Sequence, residues 1–328
     1  MKTFQFGSPK SVAQVAAFIA GSASDADIRV MGGGTDLLGE IKEGVIEPDV
    51  VVNLKAVPGL AYIRRDADGL AIGACATVAD LAADAGVAKD YRLLQQAAAV
   101  VASPQLRNMG TVGGNLCQRP RCWYFRDAAT VCSKKGGFQC FAEKGRNKYH
   151  AVFGGGLCWS VYPSDLAPAL IALEAKVVLV SAGGERIIPL AEFYAPPIVN
   201  VRKENVLARG EVIREVRVPA PKPGDRGAYI KFMERGAWDF AVVSAAARLT
   251  LSGGSIVEAR IVCGGVAPVP WRIKAAEEAL RGRSVTESTA ASAAARAAVD
   301  ARPLAENGYK VDIFKAVVAR AILAAAAN

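Results

Sequence analysis

The sequence is poor in groups for acid–base catalysis, because it holds a single histidine, His150, among 328 residues. One histidine would have to serve every role in a Ser/His/Asp arrangement, and no paired-carboxylate signature stands out. A lone histidine is more often a hydrogen-bonded structural residue than a catalyst, and we interpret His150 in that way. The pattern predicts a protein that holds a cofactor and leaves the chemistry to it.

Long apolar runs are also absent. No window of about 18 residues is uninterruptedly apolar, which excludes an obvious membrane span. The first residues, MKTFQFGSPKSVAQ, contain no apolar signal core. With 52% hydrophobic and 22% charged residues the chain is too apolar for disorder. We expect a soluble, globular, cytoplasmic protein of about two domains, leaving open export on a partner's signal.

The seven cysteines include no Cys-x-x-Cys pair, which argues against a zinc ribbon or finger. Cys75 and Cys263 lie in apolar strand-like runs, where buried thiols are common. Four others are separated by nine, seven and seventeen residues, a spacing that misses the common ferredoxin patterns. Spacing alone leaves both metal ligation and scattered free thiols open for these four: Cys122, Cys132, Cys140 and Cys158.

The positive charge is concentrated around these cysteines. The chain carries a net charge of +9, and residues 101–160 hold nine basic and two acidic residues. Four thiolates on an iron–sulfur cluster leave a negative unit that such cations would offset, which favours a cluster. A zinc-stabilised protein that binds nucleic acid through this basic loop is an alternative of another class. The absence of interleaved aromatic and basic residues counts against it, so we expect no nucleic-acid partner.

Two glycine-rich loops lie about 80 residues apart. The first, Val30-Met-Gly-Gly-Gly-Thr-Asp-Leu-Leu38, joins a predicted strand to a helix start, and the second is Gly110-Thr-Val-Gly-Gly-Asn115. Neither satisfies the dinucleotide fingerprint or the phosphate loop that ends in Gly-Lys-Ser/Thr. Either loop alone is compatible with a tight structural turn. Together they predict a pyrophosphate held between two chain segments, because glycine lets backbone N–H groups approach phosphate oxygens.

The local patterns predict alternating helices and strands around a long irregular segment. Ser11 and Gln14 form the pattern of a capping box before an apolar helix. A hairpin is predicted around Asp66 to Gly69, and another between two strands at Gly253-Gly254. Residues 103–163 carry little periodicity, which is typical of a functional loop. The Pro-rich stretch Val218 to Gly227 predicts a domain boundary, and three helices close the chain.

Three motifs in order resemble a known family. GGGTDLL follows the first strand, QLRNMGTVGGN spans Gln105 to Asn115, and YPSDLAPAL spans Tyr162 to Leu170. Together they resemble the FAD-binding medium subunit of the molybdenum hydroxylases, the relatives of xanthine dehydrogenase, carbon monoxide dehydrogenase and aldehyde oxidoreductase. The resemblance implies an α+β protein with a PCMH-type FAD-binding fold of two α/β subdomains. A C-terminal domain with a three-stranded antiparallel sheet and helices would follow. The implied units are residues 1–57, 58–222 with an iron–sulfur insertion at about 117–160, and 227–328.

The resemblance also implies which residues bind FAD. The first loop would wrap the pyrophosphate with Met31, Gly32, Gly33, Gly34, Thr35, Asp36, Leu37 and Leu38. The second would complete the cradle with Gly110, Thr111, Val112, Gly113, Gly114 and Asn115. Asp165 would bond ribityl or ribose hydroxyls, and Val101 falls where relatives often place an aromatic residue near the adenine. Leu207 and Lys231 match positions that contact the flavin in the xanthine dehydrogenase branch.

The cysteine-rich insertion is similar to the cluster-bearing loop of 4-hydroxybenzoyl-coenzyme A reductase and of some bacterial aldehyde oxidoreductases. By that similarity, Cys122, Cys132, Cys140 and Cys158 would hold a 4Fe–4S cluster, and Cys117 is a spare. The run Arg119-Pro-Arg-Cys122-Trp-Tyr-Phe-Arg is closer to the aldehyde oxidoreductase version. No residue of this chain is expected to be catalytic.

The implied function is electron transfer through FAD and the 4Fe–4S cluster inside a molybdenum hydroxylase, an oxidoreductase of aldehydes or of aromatic or heterocyclic compounds. The partners would be a molybdopterin-binding large subunit and a small 2Fe–2S subunit, in a heterotrimer or its dimer. An external acceptor such as ferredoxin, a quinone or NAD would take the electrons. The alternative is a subunit of a 4-hydroxybenzoyl-coenzyme A reductase type of enzyme, which runs in the reductive direction.

Overall fold

The N-terminal segment folds as a small parallel sheet that leads into the first glycine loop. A computed structural model describes residues 2–21 and 27–327. The strands pair in the order β1-β3-β2. They are β1 (Gln5–Gly7), β2 (Ile28–Met31) and β3 (Val50–Asn53), with helices α1 (Val12–Ala20) and α2 (Leu37–Lys42). Because β2 is parallel to its neighbour, its carboxyl end brings Gly32 to the sheet edge at which open α/β sheets bind ligands.

The predicted cap of α1 is half correct. The Ser11 Oγ accepts a hydrogen bond from the Gln14 N–H at 3.1 Å. The Gln14 side chain does not return to the backbone of Ser11. It accepts instead a hydrogen bond from the Lys10 N–H at 2.7 Å, so it binds the backbone one residue before the helix cap.

The central part is an antiparallel sheet in the order β4-β5-β8-β6-β7, covered by helices. The predicted hairpin is present, with Asp66 paired to Gly69. The strands are β4 (Ile63–Asp66), β5 (Gly69–Gly73), β6 (Lys176–Ser181), β7 (Gly184–Pro189) and β8 (Val212–Pro219). The helices are α3 (Val78–Ala83), α4 (Ala85–Asp90), α5 (Arg92–Ala99), α6 (Pro104–Met109), α7 (Val112–Cys117), α8 (Trp123–Arg126) and α9 (Leu166–Ala172).

The C-terminal part is an antiparallel sheet in the order β12-β11-β10-β9, backed by the three predicted closing helices. The fourth strand, absent from the prediction of three, has only two residues. The elements are β9 (Asp225–Phe232), β10 (Val243–Ser252), β11 (Ser255–Gly264), β12 (Trp271–Arg272), α10 (Lys274–Leu280), α11 (Glu287–Ala297) and α12 (Tyr309–Ala327). Among the described residues, no helix has the length and apolar character needed to cross a membrane.

Helix α9 joins the central and C-terminal parts. All seven of its residues are buried, and six of them belong to one core that also contains Tyr229, Ala246 and Val262 of the C-terminal sheet. A helix that is apolar all round is typical of such an interior position. The residue before it, Asp165, is thereby fixed at the junction of the two parts.

The long irregular segment follows α7 and ends at α9. Between residues 118 and 165 it contains only α8 and one short 3-10 turn, Ser133–Lys135. Its far end is anchored in the C-terminal part, where Val152 and Phe153 join the core and the Arg302 N–H donates to the Val152 carbonyl at 2.7 Å. The segment is therefore packed in place although it has little regular structure.

Candidate functional site

The two glycine loops pack directly on each other. A Cβ atom built on Gly33 would lie 1.8 Å from the Met109 carbonyl oxygen, and one on Gly32 would lie 2.4 Å from the Thr111 Oγ1. Gly34 has φ +73°, which favours glycine. The sequence predicted that glycine serves close approach to a ligand. The structure gives Gly33 a different immediate reason, which is contact between the loops themselves.

A cavity of about 440 Å³ lies where these loops meet. Its walls come from the N-terminal sheet, the central helices and the loop after β9. Twelve of the eighteen residues predicted to bind FAD line it: Gly32, Gly33, Gly34, Thr35, Asp36, Leu37, Val101, Gly110, Thr111, Gly114, Asn115 and Asp165. Residues from three distant stretches of sequence therefore converge on one space.

The other six predicted FAD residues do not line this cavity. Met31 packs beneath the first loop, with its Sδ 3.2 Å from a Cβ built on Gly34, and Leu38 is 39% exposed on α2. Val112 belongs to the central core, and a Cβ on Gly113 would lie 3.0 Å from the Ala74 Cβ. Both face inward because α7 turns that side toward β5. Leu207 packs against the same core.

Lys231, the sixth, lies behind Asp165. Its Nζ donates to the Asp165 Oδ2 at 2.9 Å, the Val100 carbonyl at 3.0 Å and the Asp239 carbonyl at 2.9 Å. The Tyr229 hydroxyl donates to the Asp165 Oδ1 at 2.7 Å. Burial raises the pKa of Asp165, while Lys231 and Tyr229 oppose that rise. All three ammonium protons have protein acceptors, so Lys231 positions Asp165 and the cavity wall.

Replacing Lys231 with methionine is expected to destabilise the chain strongly, because it leaves a buried carboxylate without its cation. Breaking one partner of a buried pair costs about 3–5 kcal/mol. The double variant Lys231→Met/Asp165→Asn is neutral at both positions and should recover part of that loss. Urea unfolding measures both. If Asp165→Asn destabilises the Lys231→Met variant as much as it destabilises the unmodified chain, the two residues are not coupled.

Four of the basic residues of the long segment are paired with acidic side chains inside the protein. The Asp36 carboxylate accepts hydrogen bonds from the Arg119 N–H and the Arg126 Nη2, both at 2.7 Å, and from the Arg121 guanidinium. Glu204 accepts from the Arg119 Nε and from the Lys134 Nζ, both at 2.9 Å. These four cations and their acidic partners therefore form a network that ties this segment to α2 and to the loop before β8.

Glu40 lies in the same network and was missed by the sequence analysis. It is 2% exposed, and its nearest cations are Arg126 at 3.6 Å and Arg119 at 3.8 Å. Burial, helped by the nearby charge of Asp36, raises the pKa of Glu40 to about 7, while the two arginines oppose the rise. Its position one helical turn after Asp36 was the available sequence signal. Nothing in the sequence indicated that Glu204 belongs to the same network.

The raised pKa of Glu40 predicts a pH-dependent stability. The folded chain holds this proton more tightly than the unfolded chain, so the free energy of unfolding falls as pH rises from about 4.5 to 7. Glu40→Gln should remove that fall and stabilise the chain above pH 7 by up to about 3 kcal/mol. Glu43→Gln, at a half-exposed position on the same turn, is the matched control and should keep the slope. Equal slopes in the Glu40 variant and the unmodified chain would contradict the assignment.

The four predicted ligand cysteines meet at one small cavity. Cys122, Cys132, Cys140 and Cys158 all line it, together with Lys134. Its volume is about 10 Å³, so the side chains would have to move apart to admit a larger group. Cys117 lies elsewhere, on the wall of the first cavity, and burial raises its pKa to about 12. The structure thus separates the spare cysteine from the other four.

The thiols interact with one another and with buried polar groups. A hydrogen bond from Cys140, and more weakly the charge of Lys134, lowers the pKa of Cys158 against the effect of burial. Cys158 Sγ also lies 3.2 Å from the Ser160 Oγ, and Cys122 Sγ lies 3.1 Å from the His150 Nε2. His150 is buried, and its Nδ1 has no hydrogen-bond partner in the part of the chain that the structure describes. Within residues 2–21 and 27–327, no three His, Cys, Asp or Glu side chains have the spacing needed to hold a single metal ion.

A second cavity, of about 370 Å³, lies between the glycine-loop cavity and the cysteines. It shares Arg121, Asp165 and Phe240 with the first cavity and reaches Cys122 and His150 on its other side. Its walls carry aromatic rings, including Trp123 in edge contact with His150 at 5.4 Å. The glycine-loop cavity and the cysteines are therefore neighbours, separated only by side chains that line this second space.

This fold and site define a flavoprotein subunit, and comparison with known proteins agrees. Residues 2–221 match the family described as the FAD binding domain in molybdopterin dehydrogenase. Residues 228–325 match the CO dehydrogenase flavoprotein C-terminal domain. The chain therefore belongs to the FAD-binding medium subunits of the molybdenum hydroxylase family, and it is an oxidoreductase subunit.

Two curated relatives span nearly the whole chain. It is 38% identical over 306 residues to the aldehyde oxidoreductase FAD-binding subunit PaoB of Escherichia coli, covering 92% of each. It is 29% identical over 328 residues to the carbon monoxide dehydrogenase medium chain of Hydrogenophaga pseudoflava, covering 98% of this chain and 96% of that one. The family predicted from the sequence motifs is confirmed.

Solved structures agree on the fold. A carbon monoxide dehydrogenase structure from Hydrogenophaga pseudoflava matches with a TM-score of 0.78 at 28% identity, covering 99% of this chain and 97% of that one. Quinoline 2-oxidoreductase from Pseudomonas putida 86 matches with a TM-score of 0.76 at 27% identity, covering 100% and 99%. The predicted α+β class with a separate C-terminal sheet is confirmed.

Proposed function

We propose that this chain is the electron-transfer subunit of an aldehyde-oxidising molybdenum hydroxylase and holds both FAD and a 4Fe–4S cluster. The observation that carries the proposal is the adjacency of two spaces: a glycine-lined cavity and a four-cysteine cavity, joined by a third that touches both. The relative at 38% identity, an aldehyde oxidoreductase FAD-binding subunit, supports the substrate class.

The residues around the first cavity fit FAD. The two glycine loops would present backbone N–H groups to the pyrophosphate, as consecutive glycines do in other anion-binding loops. Asp165, fixed by Lys231 and Tyr229, would accept hydrogen bonds from ribose or ribityl hydroxyls. Bound FAD would accept and release one or two electrons. The chain's own part is to hold and orient it.

The residues around the cysteine cavity supply the donor atoms that an iron–sulfur cluster needs. Four thiols from one loop face one space, and soft thiolates are the ligands of such clusters. The space between the thiols is about 10 Å³, so they would move apart when a cluster binds. The charge of Lys134 would stabilise the negative charge of the ligated thiols against the effect of their burial.

The partners follow from this assignment. We propose a molybdopterin-binding large subunit, where the substrate would be oxidised, and a small 2Fe–2S subunit, in a heterotrimer or its dimer. Electrons would leave this chain to an external acceptor such as ferredoxin, a quinone or NAD.

Anaerobic mixing of the assembled complex with an aldehyde tests the proposal. The flavin on this chain should be reduced by the aldehyde and reoxidised when an acceptor is added. A complex with active molybdenum whose flavin stays oxidised would contradict it. If the external redox partner reduces the flavin and the aldehyde does not, the result would favour the reductive alternative.

A further inference from the structure

The cavity formed by the four cysteines is lined by one charged side chain, that of Lys134. Lys134 lies on the 3-10 turn that directly follows Cys132, and its side chain is 5% exposed. The remaining lining residues are the thiols, aromatic and aliphatic side chains and two serines. A buried ammonium at a thiol-lined cavity needs an explanation, because removing a charge from water is costly.

Glu204 compensates this charge only in part. Its Oε1 accepts from the Lys134 Nζ and its Oε2 accepts from the Arg119 Nε, both at 2.9 Å. Glu204 is therefore shared by Lys134 and Arg119, and Arg119 also lies 3.8 Å from the Glu40 Oε2. Lys134 is the charged residue that lines the cavity, so its charge lies nearest to a negative group held by the cysteines.

The other cations of the segment are less well placed to act there. Arg121 and Arg126 donate to Asp36 beside the first cavity. Lys135 donates to the Asp127 carbonyl, and Lys144 and Arg146 are exposed, where water and salt screen their charge. In a dry interior one charge acts much more strongly than it does at a surface.

We propose that Lys134 raises the reduction potential of the iron–sulfur cluster held by the four cysteines, and that Glu204 limits this rise. The inference rests on the proposed function. When one electron enters from a partner centre or from dithionite, the cluster becomes more negative by one unit, no bond is made or broken, and no proton needs to move. The fixed charge of Lys134 stabilises that reduced form, and the charge of Glu204 disfavours it.

Two substitutions test this, because they should shift the midpoint potential of the cluster in opposite directions. Lys134→Met removes the cation with little change in side-chain volume, and it should lower the midpoint potential. The expected change is about tenfold in the ratio of reduced to oxidised cluster at a fixed potential, or about 59 mV for a one-electron couple. Glu204→Gln leaves the cavity lining unchanged and should raise the potential. Lys134→Arg keeps the charge and is the matched control.

The measurement is a dithionite titration of the assembled complex, followed by electron paramagnetic resonance and paired with iron analysis. Opposite shifts in the two variants support the proposal, since a structural disturbance would not reverse sign with charge. Unchanged potentials, or shifts of the same sign, overturn it while leaving the cluster assignment intact. If Lys134→Met fails to retain iron, Glu204→Gln alone decides, and a potential that is not raised overturns the proposal. An unmodified complex without cluster iron on this chain overturns the proposed function instead.

Discussion

Gly33→Ala is expected to remove most of the FAD from the purified complex. The new Cβ would lie 1.8 Å from the Met109 carbonyl oxygen, a distance that no adjustment of a side chain relieves, because the obstacle is backbone. The two glycine loops would have to separate, and the cavity they form together would lose its shape. Flavin absorbance per chain, after the protein is denatured to release the cofactor, measures the effect.

The matched control is Gly183→Ala in the turn between β6 and β7. A Cβ there meets only the Ser181 Oγ at 3.7 Å, so this variant should keep its flavin. Both changes add the same methyl group, and only the position differs. Full flavin occupancy in the Gly33 variant would show that the loops do not form the FAD cradle.

Cys132→Ser and Cys140→Ser are expected to lower the iron content of the complex while sparing its flavin. Both residues line the four-cysteine cavity, and a hydroxyl is a poor ligand for an iron–sulfur cluster. The glycine loops lie in a different cavity, so FAD should remain. Iron and flavin are measured on the same preparation, each as a ratio to protein.

Cys117→Ser is the control for these two variants. Cys117 lies on the wall of the glycine-loop cavity and does not line the four-cysteine cavity. A complex with this variant should therefore contain as much iron as the unmodified complex. Flavin loss with normal iron in the Cys132 or Cys140 variants would show that the segment had been misassigned. Iron loss in the Cys117 variant would show that the spare cysteine is a ligand.

Local sequence signals located the elements that depend on near neighbours. The hairpin at Asp66 to Gly69 follows from its turn residues, and the three helices predicted to close the chain are present as α10, α11 and α12. The two-residue strand β12 is too short to carry any periodicity. It exists only because β11 offers it an edge.

The site was predicted less completely, because its key contacts join residues far apart in the chain. The sequence placed cations near the cysteines but did not show which acidic residues pair with them. The partner of Lys134, Glu204, lies seventy positions further along the chain. Val112 and Gly113 belong to a glycine motif, and yet α7 turns them toward the core. Lys231 was predicted to contact the flavin, and its bond to Asp165 was not predicted from the sequence. Motif membership names a segment, and packing decides which side of it faces a ligand.

The meaning of the basic segment changed most between sequence and structure. Its charge suggested either a polyanionic partner or a bound anionic group. In the structure Arg119, Arg121 and Arg126 are bound to acidic residues within the protein, and Lys134 reaches the thiols. Part of the surplus therefore ties the segment to Asp36 beside the glycine-loop cavity.

The most direct test of the central claim is to count the redox groups on this polypeptide in the complex isolated without oxygen. Flavin analysis, iron analysis and low-temperature electron paramagnetic resonance can separate its groups from the partner 2Fe–2S centres. The account predicts one FAD and about four iron atoms per copy beyond those of the partners, with a 4Fe–4S signal on reduction. A complex with a full set of partner cofactors but no flavin and no additional iron would contradict it.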